Sequence, residues 1–117
     1  MIEATVLDFL STMDAPCYAE RPEVEPAKPY LVIEKTSSSL ENHIASATIA
    51  IQSWAQSLYE AANLNEEVKA MMEGITDLPS VSACRLNSDY NYTSTALKAY
   101  RYQAVFTLTY YEEETNG

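Results

Sequence analysis

Ile2, Val6, Phe9, Leu10 and Met13 recur at spacings of three and four, which places them on one face of a short amphipathic helix. Asp14, Ala15 and Pro16 close it. Residues 17–21 predict a short strand, and residues 22–29, with three prolines and two glutamates, predict a loop or a sheet edge rather than an interior strand. A β-branched and aromatic run follows at 30–36, where Leu31, Ile33 and Lys35 face opposite to Tyr30, Val32 and Glu34. Residues 37–42 are polar and serine-rich and predict a mobile loop. Beyond it Ala45, Ala47, Ile49 and Ile51 alternate with Ile44, Ser46, Thr48 and Ala50, continuing to Trp54. The second strand of a hairpin is expected there, buried mainly on its Ile49 and Ile51 face, with His43 at its start.

From Ser57 the period changes. Leu58, Ala61, Leu64, Val68, Met71, Met72 and Ile75 keep a helical stripe over five turns, and Asn63 and Asn65 stand in its middle, where they could loosen it. Ser57 followed by Glu60 has the form of a capping box, in which the serine oxygen accepts the backbone N–H three residues on. Gly74 is the natural left-handed residue to stop this helix. Residues 81–86 are strand-like, residues 87–99 predict a polar, tyrosine-containing loop, and residues 100–111 alternate strongly. In that last run Tyr102, Ala104, Phe106, Leu108 and Tyr110 share one face, and an acidic, solvated tail, 112–117, follows.

The order is α-β-β-β-α-β-β, and the fold class expected from it is α+β: a curved mixed or antiparallel sheet of about five strands packed by two helices. The 117 residues fall inside the usual range for one domain, so the whole chain, 1–117, is expected to build a single core.

Charge narrows the function classes. Seventeen acidic residues against seven basic ones give a formal net charge of −10, and Lys28, Lys35, Lys69, Arg85, Lys98 and Arg101 stand singly among acids. Phosphate backbones are bound by clustered Lys and Arg, so duplex DNA is expected to bind only weakly, while an acidic surface fits passage of DNA past it. Cys17 and Cys84 show neither a C-x-x-C spacing nor a disulfide framework, and both are expected to be reduced, buried apolar residues. Glu3 and Asp8 break the N-terminal pattern of a signal peptide, and no apolar run approaches a membrane span, which points to a cytoplasm. His43 is the sole histidine and no catalytic motif accompanies it; with only Gly74 and Gly117, no phosphate-cradling loop can be written. Glu66, Glu67 and Glu73 read as a solvated helix face. No catalytic residue, metal ligand or cofactor is therefore assigned. Nine tyrosines are more unusual, and Tyr90, Tyr92, Tyr100, Tyr102, Tyr110 and Tyr111 crowd the C-terminal third, as interface residues or as ordinary strand residues.

The stretch 29–72, PYLVIEKTSSSLENHIASATIAIQSWAQSLYEAANLNEEVKAMM, resembles tail-completion or tail-terminator proteins of tailed bacteriophages and prophages. The order of the remaining elements agrees. The resemblance implies a non-enzymatic assembly protein that forms a ring, commonly a hexamer, at the head-proximal end of a finished tail tube. There it stops polymerisation and offers a surface to the head–tail connector or stopper protein, and DNA passes through the lumen without specific binding. No cofactor and no membrane are implied, and the mature location is the virion, after assembly in the bacterial cytoplasm. A ring of small subunits needs heterologous contacts that close by rotation, which exposed strand edges and loops can supply. The residues expected at such contacts are Ser37, Ser38, Ser39, Glu41 and Asn42 in one loop, and Tyr90, Tyr92, Lys98 and Arg101 in or beside the other. Two rivals remain: another neck or minor tail component, and a small α+β barrel in which His43 and the tyrosines line a ligand or catalytic pocket.

Overall fold

The structure is a computed structural model that describes residues 1–27, 29–94 and 99–111. Its elements are α1 (Ile2–Leu10), β1 (Cys17–Tyr18), β2 (Tyr30–Glu41), β3 (Ile44–Ala55), α2 (Leu58–Met72), a short 3-10 turn (Ile75–Asp77), β4 (Val81–Asn91) and β5 (Tyr100–Tyr111). The fold is α+β in the expected order. The strands form one open mixed sheet, β1-β2-β3-β5-β4, in which only the β1–β2 pairing is parallel.

Register decides which side chains share a face, because directly opposed residues point the same way. Ile33, Ile51 and Ala104 form one row, and Ile49, Phe106 and Leu86 another. These rows face the helices. Ile2, Val6 and Leu10 of α1 and Leu64, Val68 and Met72 of α2 join Leu31, Ile33, Ile49, Ile51, Phe106 and Leu108 in one buried cluster. Most positions of the three-and-four spacing read from the sequence are thus the ones the sheet buries, while Phe9 and Met71 are half-buried and Leu58, at the start of α2, is exposed. Met13 lies past the end of α1 and packs against the cluster half-buried, and Ile75 continues the stripe from the 3-10 turn.

Helix α2 begins as its cap predicts, with Ser57 in extended backbone and its hydroxyl accepting the Glu60 N–H at 3.2 Å. Replacing Ser57 by Ala should cost about 1 kcal/mol and lower Tm by roughly 4–6 °C; an unchanged thermal melt would remove the cap's role. Asn65 does not loosen the helix. It is buried, and its Nδ2 donates to Asp89 Oδ1 at 3.4 Å, while Lys69 reaches Glu66 at 2.8 Å and Asp89 at 3.4 Å. Those contacts tie α2 to β4.

Several boundaries differ from the sequence reading. Residues 37–41 are not a loop but the outer half of β2, and the hairpin turns at Asn42 and His43, with φ of 52° and 67°. Positive φ at both central residues is the geometry of a two-residue type I′ turn, whose twist matches the strands it joins. His43 therefore occupies the turn and not a strand start. Residues 87–91 likewise extend β4 instead of opening a loop, and β1 stops at Tyr18 rather than at residue 21. Gly74 is right-handed (φ −90°, ψ −2°), so it ends α2 by entering the 3-10 turn and not through a left-handed cap. The 112–117 tail lies outside the described residues.

Candidate functional site

The helices cover one face of the sheet; the other, the open face, carries no helix among the described residues, yet Tyr30, Val32 and Trp54 are buried on it where Arg21 and Glu25 of the 19–27 segment reach them. Two clusters of unlike chemistry occupy that open face. At the end where β2 begins and β3 finishes, Tyr30 is paired with Trp54 and Trp54 with Arg101 in register. The Tyr30 and Trp54 rings stack at 5.9 Å with an interplanar angle of 6°, and Tyr18 of β1 meets Tyr30 edge-on at 5.8 Å. The Arg101 guanidinium lies 4.7 Å from the Trp54 ring centroid and 4.2 Å from that of Tyr92, and Tyr92 meets Tyr90 edge-on at 5.8 Å. Arg21 covers Trp54 from the 19–27 segment at 4.4 Å. The result is an aromatic and arginine ladder that crosses the whole sheet from β1 to the end of β4.

Polar groups fix the ladder. Trp54 Nε1 donates to Gln52 Oε1 at 3.1 Å, Gln52 Nε2 donates to Gln103 Oε1 at 3.0 Å, and Gln103 Nε2 donates to the Tyr90 hydroxyl. The buried indole N–H is thereby satisfied, as burial requires. Arg101 Nε donates to the Tyr92 carbonyl at 2.7 Å, which holds the guanidinium plane between two rings. Tyr30 is buried and its hydroxyl donates to Glu25, 3.0 and 3.1 Å from the two carboxylate oxygens; burial is the main cause that pushes its pKa upward. Each guanidinium–ring contact is worth about 0.5–2 kcal/mol depending on desolvation, so the ladder holds the sheet end rigid, with Tyr30 and Trp54 buried and Tyr90 and Tyr92 exposed.

Toward the hairpin tip the same face is mostly small and polar: Ser39, Ser46, Thr48, Thr107 and Thr109 line it, with Glu34 and Glu41 on the β2 side, Arg85 on the β4 side and exposed Ile44 and Tyr111 at its end. Among the described residues Arg85 and Arg101 have no carboxylate within ion-pair distance, and neither Glu34 nor Glu41 has a basic partner. Among the described residues β1 covers β2 only at Leu31 and Val32, and no strand lies on the outer side of β4.

The residues expected at contacts fall into two groups. Tyr90, Tyr92 and Arg101 come together in the ladder. Ser37, Ser39 and Glu41 lie on the open face near the other end of the sheet, Ser38 points to the helix side, Asn42 sits in the turn, and Lys98 lies outside the described residues. Glu41 lies beside Ile44 and the Tyr90 row reaches Gln52, eight residues along β3, about 27 Å. The sequence reading missed Tyr18, Arg21, Tyr30 and Trp54 as members of the ladder. A signal existed for two of them, since alternation in β2 and β3 already put Tyr30 and Trp54 opposite the main core rows.

His43 and the Tyr90–Tyr92 pair lie at opposite ends of the open sheet, so they do not line a common pocket. A shallow depression of about 330 Å³ between α1 and the start of β4, lined by Thr5, Asp8, Phe9, Leu78, Pro79 and Ser80, contains none of the expected contact residues. Cys17 and Cys84 are unpaired and half-buried, and burial pushes the Cys17 thiol up to about 11. Among the described residues no three His, Cys, Asp or Glu side chains are grouped to hold a metal, and no helix is long and apolar enough to cross a membrane. Compared with protein-family models and with curated proteins, the chain matches none.

Proposed function

We propose that this chain is a tail-completion subunit of a tailed bacteriophage or prophage, which caps the head-proximal end of the tail tube, ends its polymerisation and presents a surface to the head–tail connector or stopper. The observation that carries the reading is the sheet face away from the helices, where exposed Tyr90 and Tyr92 stand with Arg101 and are backed by the buried Tyr30 and Trp54 rings. Those residue types are the ones enriched where protein interfaces concentrate their binding energy. The resemblance of residues 29–72 to tail terminators supplies the kind of partner. On this reading the chain does no catalysis, works as a ring of about six copies in the virion, and lets DNA through without gripping it.

The net charge makes ring formation conditional. Six copies bring together a formal charge of about −60, from −10 on each, and repulsion of that size holds subunits apart until a complementary surface or salt offsets it. The tube end is the natural template. Added in substoichiometric amount to the polymerising tail-tube protein of the same phage, the chain should stop elongation and leave capped tubes with a ring at one end by electron microscopy. Tubes that keep growing at the rate of the untreated sample contradict the capping role.

A further inference from the structure

The two ends of the sheet differ in charge. One end holds Arg101 beside exposed tyrosines; from the other, β5 leads directly into three consecutive glutamates, Glu112, Glu113 and Glu114, which lie outside the described residues. We infer that this acidic run of one copy docks on the Arg101, Tyr90 and Tyr92 patch of a second copy. This names a self-contact within the ring reading and rests on that reading for its biological role.

Arg101 is built to receive a carboxylate. Arg21, Lys35 and Lys69 each have an acidic partner, whereas Arg101 has none among the described residues. Its Nε donates to the Tyr92 carbonyl at 2.7 Å, and its terminal nitrogens have no hydrogen-bond partner among the described residues. The Trp54 and Tyr92 rings, at 4.7 and 4.2 Å, hold the group in place. Stacking occupies the faces of a guanidinium and leaves its edge for the two parallel bonds that a carboxylate accepts. Because the side chain is already ordered, it loses little freedom on pairing. Arg21, 4.4 Å from the same Trp54 ring and shared with Glu25, adds positive charge nearby. Tyr90 and Tyr92 are 42 % and 44 % exposed, and tyrosine beside arginine is the pairing of residue types in which interfaces concentrate binding energy.

A copy cannot answer its own Arg101 with this run. Tyr111 is paired with Ile44 and Arg101 with Trp54, at opposite ends of β5 and about 34 Å apart. Glu114 follows Tyr111 by three residues, about 11 Å at full extension. Even turned straight back, its backbone stops more than about 20 Å short of Arg101, a gap that a glutamate and an arginine side chain together do not bridge. The acid that reaches the patch from this run therefore comes from another copy. Because the giving and receiving groups lie at opposite ends of the sheet, the contact is heterologous: each copy offers its run to one neighbour and receives that of another, an arrangement that a rotation closes into a ring. Copies of net charge −10 repel one another, and placing acids of one on an arginine of the next that lacks a carboxylate offsets part of that repulsion.

Trp54 is the chain's sole tryptophan and touches Arg101, so its fluorescence reads the patch. The full chain carrying Glu112→Gln, Glu113→Gln and Glu114→Gln, which frees the patch of its own kind of ligand, is titrated with the peptide EEETNG, acetylated and amidated at its ends. A saturable change with Kd of about 1 mM or tighter is expected, weakening at least about threefold between roughly 0.05 and 0.3 M salt. Adding Arg101→Gln to the chain, after circular dichroism has shown wild-type folding, should weaken binding at least about tenfold. The control peptide QQQTNG should bind at least about tenfold more weakly, and it carries the test by itself if the Arg101 variant does not fold. Equal binding of the two peptides, binding undiminished in a folded Arg101→Gln chain, or no saturable change up to about 10 mM overturns the inference. Saturable binding of inorganic phosphate that EEETNG does not displace assigns the patch to another anion and likewise overturns it. A chain that binds the peptide yet fails to stop tube growth keeps this contact and removes the cap; one that stops tube growth without binding the peptide does the reverse.

Discussion

Replacing Phe106 by Asp is expected to leave the chain unfolded under conditions where the wild type is native. Phe106 is 2 % exposed and sits in the row between Ile49 and Leu86 under the helices. Truncating a buried Phe costs about 3–5 kcal/mol, and a carboxylate with no partner in that row adds several more or forces its own protonation. Domains of this size are stable by only about 5–15 kcal/mol. Ile49→Asp, at a position fully shielded from solvent, should behave alike. Far-ultraviolet circular dichroism and a thermal melt read the result; a cooperative transition near the wild-type temperature in either variant would contradict the assignment of this face to the core. Arg85→Gln supplies the contrast, because Arg85 is exposed on the opposite face with one side-chain hydrogen bond, to Asn87, and its loss should leave the melt within a few degrees.

Such asymmetry between the faces was legible in the sequence wherever one face is buried. The Ile49 and Ile51 alternation, the Phe106 and Leu108 alternation and the α2 stripe each reported a set of positions that the fold excludes from water. Legibility stopped where burial stops. Residues 37–41 and 87–91 are strand, yet nearly all their side chains are exposed, so no hydrophobic period marks them and their serines and asparagines read as loop. Neighbouring strands order them, through pairings such as Ser38 with Ala47 and Tyr90 with Gln103, which are properties of register and not of local composition. Gly74 misled for a related reason: glycine permits a left-handed cap without requiring one.

The ladder was still less visible. Tyr18, Tyr30, Trp54, Arg101 and Tyr92 come from all five strands and their flanks, and only the strand order β1-β2-β3-β5-β4 lines them up. Their types suggested an interface, and Tyr90, Tyr92 and Arg101 were expected at one. What the sequence could not supply was the stacking of Arg101 between Trp54 and Tyr92, which joins the buried Tyr30 and Trp54 to the exposed Tyr90 and Tyr92. The separation of the Ser37–Glu41 group from that surface, to the opposite end of the sheet, follows from the same register.

If the chain caps a tail tube, as proposed, deleting its gene from a phage or prophage that encodes it gives the clearest test. A polymerising tube adds subunits to its exposed end until something covers that end, and a ring with a rigid contact face and no free tube-like surface beyond it would do so. Without the cap, tails should overgrow to a broad distribution of lengths and fail to join filled heads, while heads package DNA as before. Electron microscopy of the lysate measures both tail length and joining, and supplying the wild-type chain from a plasmid should restore each. Tails of normal length that join heads in the absence of the chain would contradict the capping proposal, and tails of normal length that stay unjoined would move the chain's role from tube capping to a later step in the neck.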